Sequence, residues 1–577
     1  MRDFKREIAD TIHETEVIKD AGLSREEVYE LMEAPADIAN GDYAFPCFRL
    51  AKSLKKAPPA IASELAAYES IKTGAVDKVV QAGGYVNFFL RKDVFIHELI
   101  GRALEEKEDF GRSDIGAGKK VLVEFSSPNI AKPFHIGHIR STVIGSAINN
   151  IYDCLGYDTM KLNHLGDYGT QFGKIIVAYR LWGKKEDVEK DPINTLLGYY
   201  TKFHEESKKD PSLEDEARGV FARLEQGGKE EKELWQWFRD VSLREFNRVY
   251  DLLGISFDSF DGESFYSDKM DKVIKEIEDK GLIKESEGAH IVELSKWGMS
   301  PALITKKDGS TLYITRDIAA AFYRKNVYGF YKNLYIVGSQ QILHFKQWIK
   351  IIELMGYDWA NDCVHIPFGL ISLEDGTMST REGRVVFLED VLKRAIEKTR
   401  EIIIEKGVST DNIDEISRQV GIGAVIFNEL SSNRIKDYVF SWDKVLNFEG
   451  ETGPYVQYSY ARAASLKRRA EEEGFATDTP AKDIDASYLC GDSAYELAKA
   501  VFRLPAVIIE AGEKYEPSVV TRQIVDIAQL FNKYYHDEHI LVDDPKERAA
   551  KLALAFAAGQ AIKTGLRLLG IETPEKM

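Results

Sequence analysis

Pro133-Phe134-His135-Ile136-Gly137-His138 joins a short apolar strand to a long amphipathic helix, and this junction decides the fold. Upstream, Val121-Leu122-Val123-Glu124-Phe125 reads as a strand buried on both faces. Downstream, Ile139, Val143, Ile144, Ala147, Ile148, Ile151 and Leu155 recur at helical spacing until Gly156 stops the helix. Two imidazoles therefore sit at a strand-to-helix turn, over a helix N-terminus. Free backbone N–H groups and the helix dipole favour an anion such as a phosphate there. Gly137 leaves room for a nucleotide to approach the backbone closely.

The next segments repeat the alternation. Thr159 to His164 reads as a second strand, followed by the turn Gly166-Asp167-Tyr168-Gly169. Residues 183 to about 240 are dense in Lys and Glu and predict solvated helices inserted into the fold. Strand-like runs return at Leu312 to Thr315, Leu334 to Val337 and Val364 to Ile366, with helices between them. One parallel α/β nucleotide-binding sheet interrupted by an insertion fits this pattern. Beyond about residue 420 helices dominate, as in Tyr455 to Glu473 and Ala494 to Ala511, the latter kinked at Pro505. Ahead of the sheet, a small α/β module runs from a helical start through Asn40-Gly41-Asp42-Tyr43 to the strand Gly84 to Leu90, and Ser113 to Lys119 reads as a linker. The expected domains are 1–112, 113–420 with a helical insertion over about 183–300, and an all-α 421–577.

A chain of 577 residues is too long for a single core. Its 44% apolar and 30% charged content is that of a soluble globular protein, and no apolar run approaches the roughly 20 residues of a membrane span. Met1 to Glu7 carries charges of both signs and reads as neither a secretory signal nor a transit peptide. Cys47, Cys154, Cys363 and Cys490 lie far apart without a C-x-x-C pair, which argues against disulfides and structural zinc and suits a reducing cytoplasm. A net charge of −17 opposes nucleic-acid binding only weakly, because a local basic face can sit on an acidic body.

Three segments together resemble one family. Ser127 to Thr142 looks like the first motif of class I aminoacyl-tRNA synthetases in its arginyl form. Asn163 to Gly173 resembles the segment that follows it in arginyl-tRNA synthetases, and Met378-Ser379-Thr380-Arg381-Glu382-Gly383 resembles their second class I motif. The resemblance extends over the whole chain. It implies a class I Rossmann-like domain with insertions, an N-terminal α/β module and an all-α anticodon-binding domain. It further implies activation of L-arginine with ATP and Mg²⁺, transfer to tRNA(Arg), and a need for tRNA already at activation.

Chemistry and resemblance meet at particular residues. Activation places a carboxylate on the α-phosphate of ATP, so the site needs cations and donors around developing negative charge. The family gives that task to the pair matching His135 and His138, with Gly137, Met378, Ser379 and Arg381 near the nucleotide. The second motif departs from its common form, because Thr377 stands where a first lysine is usual. In many arginyl enzymes a lysine before the first motif stands in for it, and Lys132 occupies that place; on its own it also reads as a solvated loop lysine. A guanidinium asks for carboxylates in a planar arrangement that a point charge cannot satisfy. By resemblance Glu124, Asn129, Tyr313, Asp317 and Gln341 surround the amino acid, with Asn129 and Gln341 at its ammonium and carboxylate end. Read alone, Asp317 is a helix N-cap and Tyr313 is strand packing.

Tyr85 and Asn87 share one strand face and match the family's D-loop-reading positions. The helix from Gly453 resembles the start of the anticodon-binding domain, with the basic run Lys467-Arg468-Arg469 further along it and the aromatic run Phe531 to His536, including Tyr535, as a candidate anticodon contact. The alternatives are another class I synthetase, for cysteine or glutamate, or a non-catalytic tRNA-binding paralogue. A cytoplasmic monomer is the expectation.

Overall fold

Residues 2–35, 38–72, 74–306, 313–372, 386–405, 412–445 and 450–577 are described by a computed structural model. They form two compact units. One comprises Met1–Phe110, Arg462–Arg503 and Asp526–Ala561; the other comprises Gly111–Ala461, Leu504–Val525 and Ile562–Met577.

In the first unit, the strands β1 (Tyr43–Pro46), β2 (Val76–Ala82) and β3 (Tyr85–Leu90) make an antiparallel sheet of order β1-β3-β2. Val86, Phe88 and Leu90 of β3 are buried, so one face of the strand is core. The helix Phe4–His13 is capped by Asp3, whose carboxylate accepts from the Arg6 amide at 2.9 Å. Phe4, Phe95 and Phe502 close the core, with ring centroids 4.6–6.0 Å apart.

The second unit is built on β4 (Lys120–Glu124) and β5 (Asp158–Leu162), joined by the buried helix Ile139–Cys154. After β5 come the helices Thr170–Trp182, Pro192–Ser207, Ser212–Glu225 and Lys229–Leu253. The expected helical insertion is not helical to its end. It closes with β6 (Ile283–Ser286) and β7 (Ala289–Val292), an antiparallel pair to which β8 (Ala302–Thr305) adds on the β7 side. Two residues, Glu287 and Gly288, link β6 to β7, both with positive φ (51° and 82°), as a tight hairpin turn requires.

The strands β9 (Lys332–Gly338) and β10 (Cys363–Phe368) complete a parallel sheet of order β10-β9-β4-β5. Leu122, Leu334 and Ile336 are fully buried, which is why these strands read as unbroken apolar runs. The strand expected at 312–315 is not one. Tyr313–Tyr328 is a helix, with Ile314, Ile318 and Ala321 on its buried side; Leu312 lies outside the described residues. Two further strands, β11 (Ile371–Ser372) and β12 (Tyr438–Val439), pair in parallel beyond the main sheet, so strand structure continues past residue 420. The helix Asp492–Lys514 runs through Pro505. No helix among the described residues is long and apolar enough to cross a membrane.

Candidate active site

The loop between β4 and the 139–154 helix carries strained backbone. Ser126, Ser127 and Ala131 adopt φ of 68°, 47° and 58°, a region costly for residues with a Cβ. Neighbouring hydroxyls hold it there. Ser141 Oγ accepts from the Ser126 amide at 2.9 Å and donates to the Ile336 carbonyl at 2.8 Å, tying the loop to β9. Ser242 Oγ accepts from the Ala131 amide at 2.9 Å, and Tyr250 Oη lies 2.8 Å from Ser126 Oγ. Both come from the 229–253 helix, so the insertion buttresses the loop. Gly145 lets the 139–154 helix approach; a Cβ there would fall 2.2 Å from that of Phe125.

His135 and His138 stand together, ring centroids 3.9 Å apart, with Phe134 stacked on His138 at 5.0 Å. The expectation of free amides at the helix start needs refinement. His135 Nδ1 accepts from the Gly137 amide, and His138 Nδ1 from the His135 amide, each at 3.1 Å. His138 Nδ1 also lies 3.2 Å from the His135 carbonyl, which can only accept, so its two backbone contacts favour opposite tautomers, whereas the Gly137 amide sets His135 Nδ1 as an acceptor. His135 then carries its proton on Nε2 as a donor for a ligand. Burial pushes the His135 pKa down to about 4; burial, with the charges of His135 and Lys132 nearby, also holds that of His138 well below its ordinary value. The two groups are neutral donors at pH 7, not cations.

The first motif is also stitched to the chain that follows the second. Ile136 donates its amide to the Val386 carbonyl at 2.8 Å, and Leu388 donates to the Phe134 carbonyl at 3.0 Å. Met378, Ser379 and Arg381 lie outside the described residues. Chain on both sides of that segment is pinned by Arg140, buried next to the histidines in sequence. It donates to the carbonyls of Gly369 (2.8 Å), Lys436 (2.7 Å) and Arg434 (3.0 Å), and lies 3.7 Å from Glu429. Tyr438 donates to Glu429, whose pKa burial raises to about 7. Lys132 is half-buried at the entrance of the same loop.

The residues assigned to arginine gather at the C-terminal edge of the sheet, where open α/β sheets bind ligands. Glu124 ends β4 opposite Tyr335 of β9. It is buried and paired with Arg324 at 2.5 Å, so the carboxylate in an apolar run does find its partner. Asp317 accepts from His344 Nε2 at 2.5 Å. Gln341 is exposed at the end of the short turn Ser339–Gln341, one turn before His344. Asn129 is exposed and pairs with Gly166; a Cβ at Gly166 would fall 2.3 Å from Asn129 Oδ1. Tyr313 is 66% exposed in the first helical turn rather than packed in a strand. Arg316 pairs with Glu263 at 3.1 Å, its guanidinium 4.5 Å from the Tyr168 ring. Arg324, His344 and Arg140 escaped the sequence reading. Each looks like an ordinary helix-surface residue until its distant partner is known.

In the first unit, Tyr85 is half-buried and meets Phe48 edge-on at 5.2 Å, with Phe48 53% exposed. Asn87, between Ala44 and Val80 in the central strand, is more buried than strand alternation predicts. Of the aromatic run near residue 531, Phe531 and Tyr534 are core, whereas Tyr535 is half-buried under Arg462, 4.9 Å from its guanidinium.

The chain also resembles known proteins along its whole length. Residues 100–442 match the model for tRNA synthetases class I (R), catalytic domain; residues 456–577 match the DALR anticodon binding domain, and residues 2–90 the arginyl tRNA synthetase N terminal domain. The chain is 56% identical, over the full length of both, to the arginine–tRNA ligases of Clostridioides difficile strain 630 and Halothermothrix orenii. The arginyl-tRNA synthetase structure of Thermus thermophilus superposes with a TM-score of 0.81 at 25% identity, covering all of each chain. That of Plasmodium falciparum does so with the same score at 22% identity, a likeness of fold. A site with two neutral imidazole donors at a strand-to-helix turn and two oriented carboxylates at the sheet edge, on a chain with these relatives, places it: the chain belongs to the arginyl-tRNA synthetase family, class I ligases that attach arginine to tRNA.

Proposed function

We propose that in this arginine–tRNA ligase one stretch, Glu124 to His138, carries both halves of amino-acid activation. Glu124 and Asp317 bind the guanidinium of L-arginine, with Tyr313 beside them, and Asn129 and Gln341 hold its ammonium and carboxylate end. His135 and His138 donate Nε2–H to the phosphates of MgATP over Gly137, and Lys132 adds the positive charge that Thr377 cannot. By the family resemblance, Met378, Ser379 and Arg381 of the second motif also bind the nucleotide. The observation that carries this reading is the closely paired, half-buried imidazoles on a strained loop that begins at the Glu124 carboxylate. Fixed dipoles aimed at developing charge need no reorganisation during the reaction, which suits phosphate displacement better than a mobile cation pair.

The product adenylate is then attacked by the terminal adenosine of tRNA(Arg). Tyr85 with Asn87 reads an unpaired tRNA base, supported by the half-exposed Tyr85 ring beside exposed Phe48. Tyr535 lies on the anticodon-binding face. The working division is 1–112 for tRNA recognition, 113–420 for chemistry and 421–577 for the anticodon. Activation awaits tRNA, and the enzyme acts as a cytoplasmic monomer. Lys132→Ala tests the activation machinery: the pre-steady-state rate of arginyl-adenylate formation falls by about two orders of magnitude or more, as for loss of a preorganised charge contact. A near-normal rate removes Lys132 from the mechanism.

A further inference from the structure

We propose that Arg324 and His344 are positioning residues that set the selectivity of the arginine pocket. Each occupies one oxygen of a substrate-binding carboxylate, so that the remaining oxygens of Glu124 and Asp317 are held as a fixed pair of acceptors. The inference rests on the arginine pocket assigned above and supplies the reason why that pocket distinguishes a planar guanidinium from another cation.

The geometry is asymmetric in a useful way. Glu124 Oε2 lies 2.5 Å from Arg324 Nη1, with both side chains buried. Arg324 is itself held: its Nη2 lies 3.4 Å from His164 Nδ1, and the Tyr266 and Tyr335 rings sit 5.7 and 5.6 Å from its guanidinium carbon. On the same helix, seven residues earlier and so two turns along one face, Asp317 Oδ2 takes the His344 Nε2 contact at 2.5 Å. The Asp317 and His344 side chains retain 29% and 23% exposure, as expected at a pocket a ligand must enter. Among the described residues each carboxylate thus has one oxygen committed, through an ion pair in Glu124 and a hydrogen bond in Asp317, and the other left for a ligand.

Charge and geometry then act separately. The two carboxylates and the Arg324 guanidinium sum to a single negative charge, which one cationic side chain neutralises. Charge alone does not reject lysine. An unpinned carboxylate rotates to follow a compact ammonium, whereas one clamped by an internal donor offers its free oxygen in one direction only. A planar fork satisfies two such oxygens at once, and a point charge satisfies one and leaves the other desolvated.

The test uses the full-length enzyme, ATP–pyrophosphate exchange in the presence of tRNA, and arginine and lysine as amino acids. His344→Leu removes the donor and His344→Gln keeps one. The expected result for His344→Leu is a rise of about tenfold in KM for arginine, with KM for ATP and tRNA within about twofold, and an arginine-over-lysine kcat/KM ratio reduced about tenfold. His344→Gln recovers most of both. Arg324→Lys, retaining charge without the fork, shifts the same two quantities in the same direction. An unchanged arginine KM, equal shifts for arginine and ATP, or a Gln variant as impaired as Leu overturns the inference. If Arg324→Lys does not fold, the His344 pair still decides. Wild-type exchange separates the two levels: without arginine-dependent exchange the assigned activity and this inference fall together, whereas an active wild type with an indifferent His344→Leu removes the inference alone.

Discussion

Replacing Arg140 by Met removes a buried guanidinium from a junction that frames the second motif. The aliphatic stem is largely preserved, so little cavity arises, and the loss is electrostatic. Three charge-assisted hydrogen bonds, to the carbonyls of Gly369, Lys436 and Arg434, disappear. Each is worth roughly 1.5–3 kcal/mol when the donor is charged, though a single donor's bonds are not additive. Breaking a buried pair typically costs about 3–5 kcal/mol, mostly through the charge left behind. Here Glu429, 3.7 Å away, has its pKa raised to about 7 by burial and takes up a proton at modest cost. The expected destabilisation is therefore about 3 kcal/mol, at the low end of that range. Because Gly369 and Lys436 flank β11 and β12, the effect reaches the end of β11 at Ser372. The assay combines urea denaturation followed by tryptophan fluorescence with exchange kinetics. KM for ATP rises about tenfold and KM for arginine less than about threefold, while Arg140→Lys, a charge without a fork, loses about half as much stability. A loss below about 1 kcal/mol with an unaltered ATP KM refutes the reasoning.

Two other perturbations separate the parts of the site. Asp317→Ala raises KM for arginine by about fiftyfold and leaves that for ATP nearly unchanged, the signature of a lost charged contact to one substrate; equal effects on both mark a structural role. Acidification tests the buried imidazole. The folded pKa of His135 is about 4 against 6.5 when unfolded, so below pH 6.5 the unfolded chain binds a proton that the folded chain refuses, and stability falls as pH drops toward 4. Glu429 titrates in the opposite sense over part of this window, so the comparison is between variants. Between pH 7.5 and 5, His135→Asn loses about 2 kcal/mol less than the wild type, the product of 1.5 pH units and about 1.36 kcal/mol per unit. Parallel curves by denaturation at the two pH values contradict a buried neutral His135.

The parallel sheet was readable because its strands are buried on both faces, so Val121 to Phe125 and Leu334 to Val337 announce themselves as unbroken apolar runs. The same cue misled at Tyr313-Ile314-Thr315, where β-favouring residues obscure the spacing of Ile314, Ile318 and Ala321, and tertiary packing makes a helix. The hairpin at Glu287-Gly288 was missed because dense Lys and Glu dominated, although a two-residue turn ending in Gly was a usable signal. In the site, Glu124 was marked as needing a partner, but the partner sits two hundred residues later. Nothing local distinguishes Arg324 from a solvated lysine or arginine on a helix. His135 and His138 were found by their turn, yet which nitrogen His135 offers follows only from the Gly137 amide placed in three dimensions.

The most direct test is ATP–pyrophosphate exchange by the wild-type enzyme, measured with each of the protein amino acids in turn, with and without tRNA(Arg). Exchange with arginine alone, appearing only when tRNA is present, is the predicted result. Exchange driven by another amino acid, or by arginine equally well without tRNA, contradicts the account.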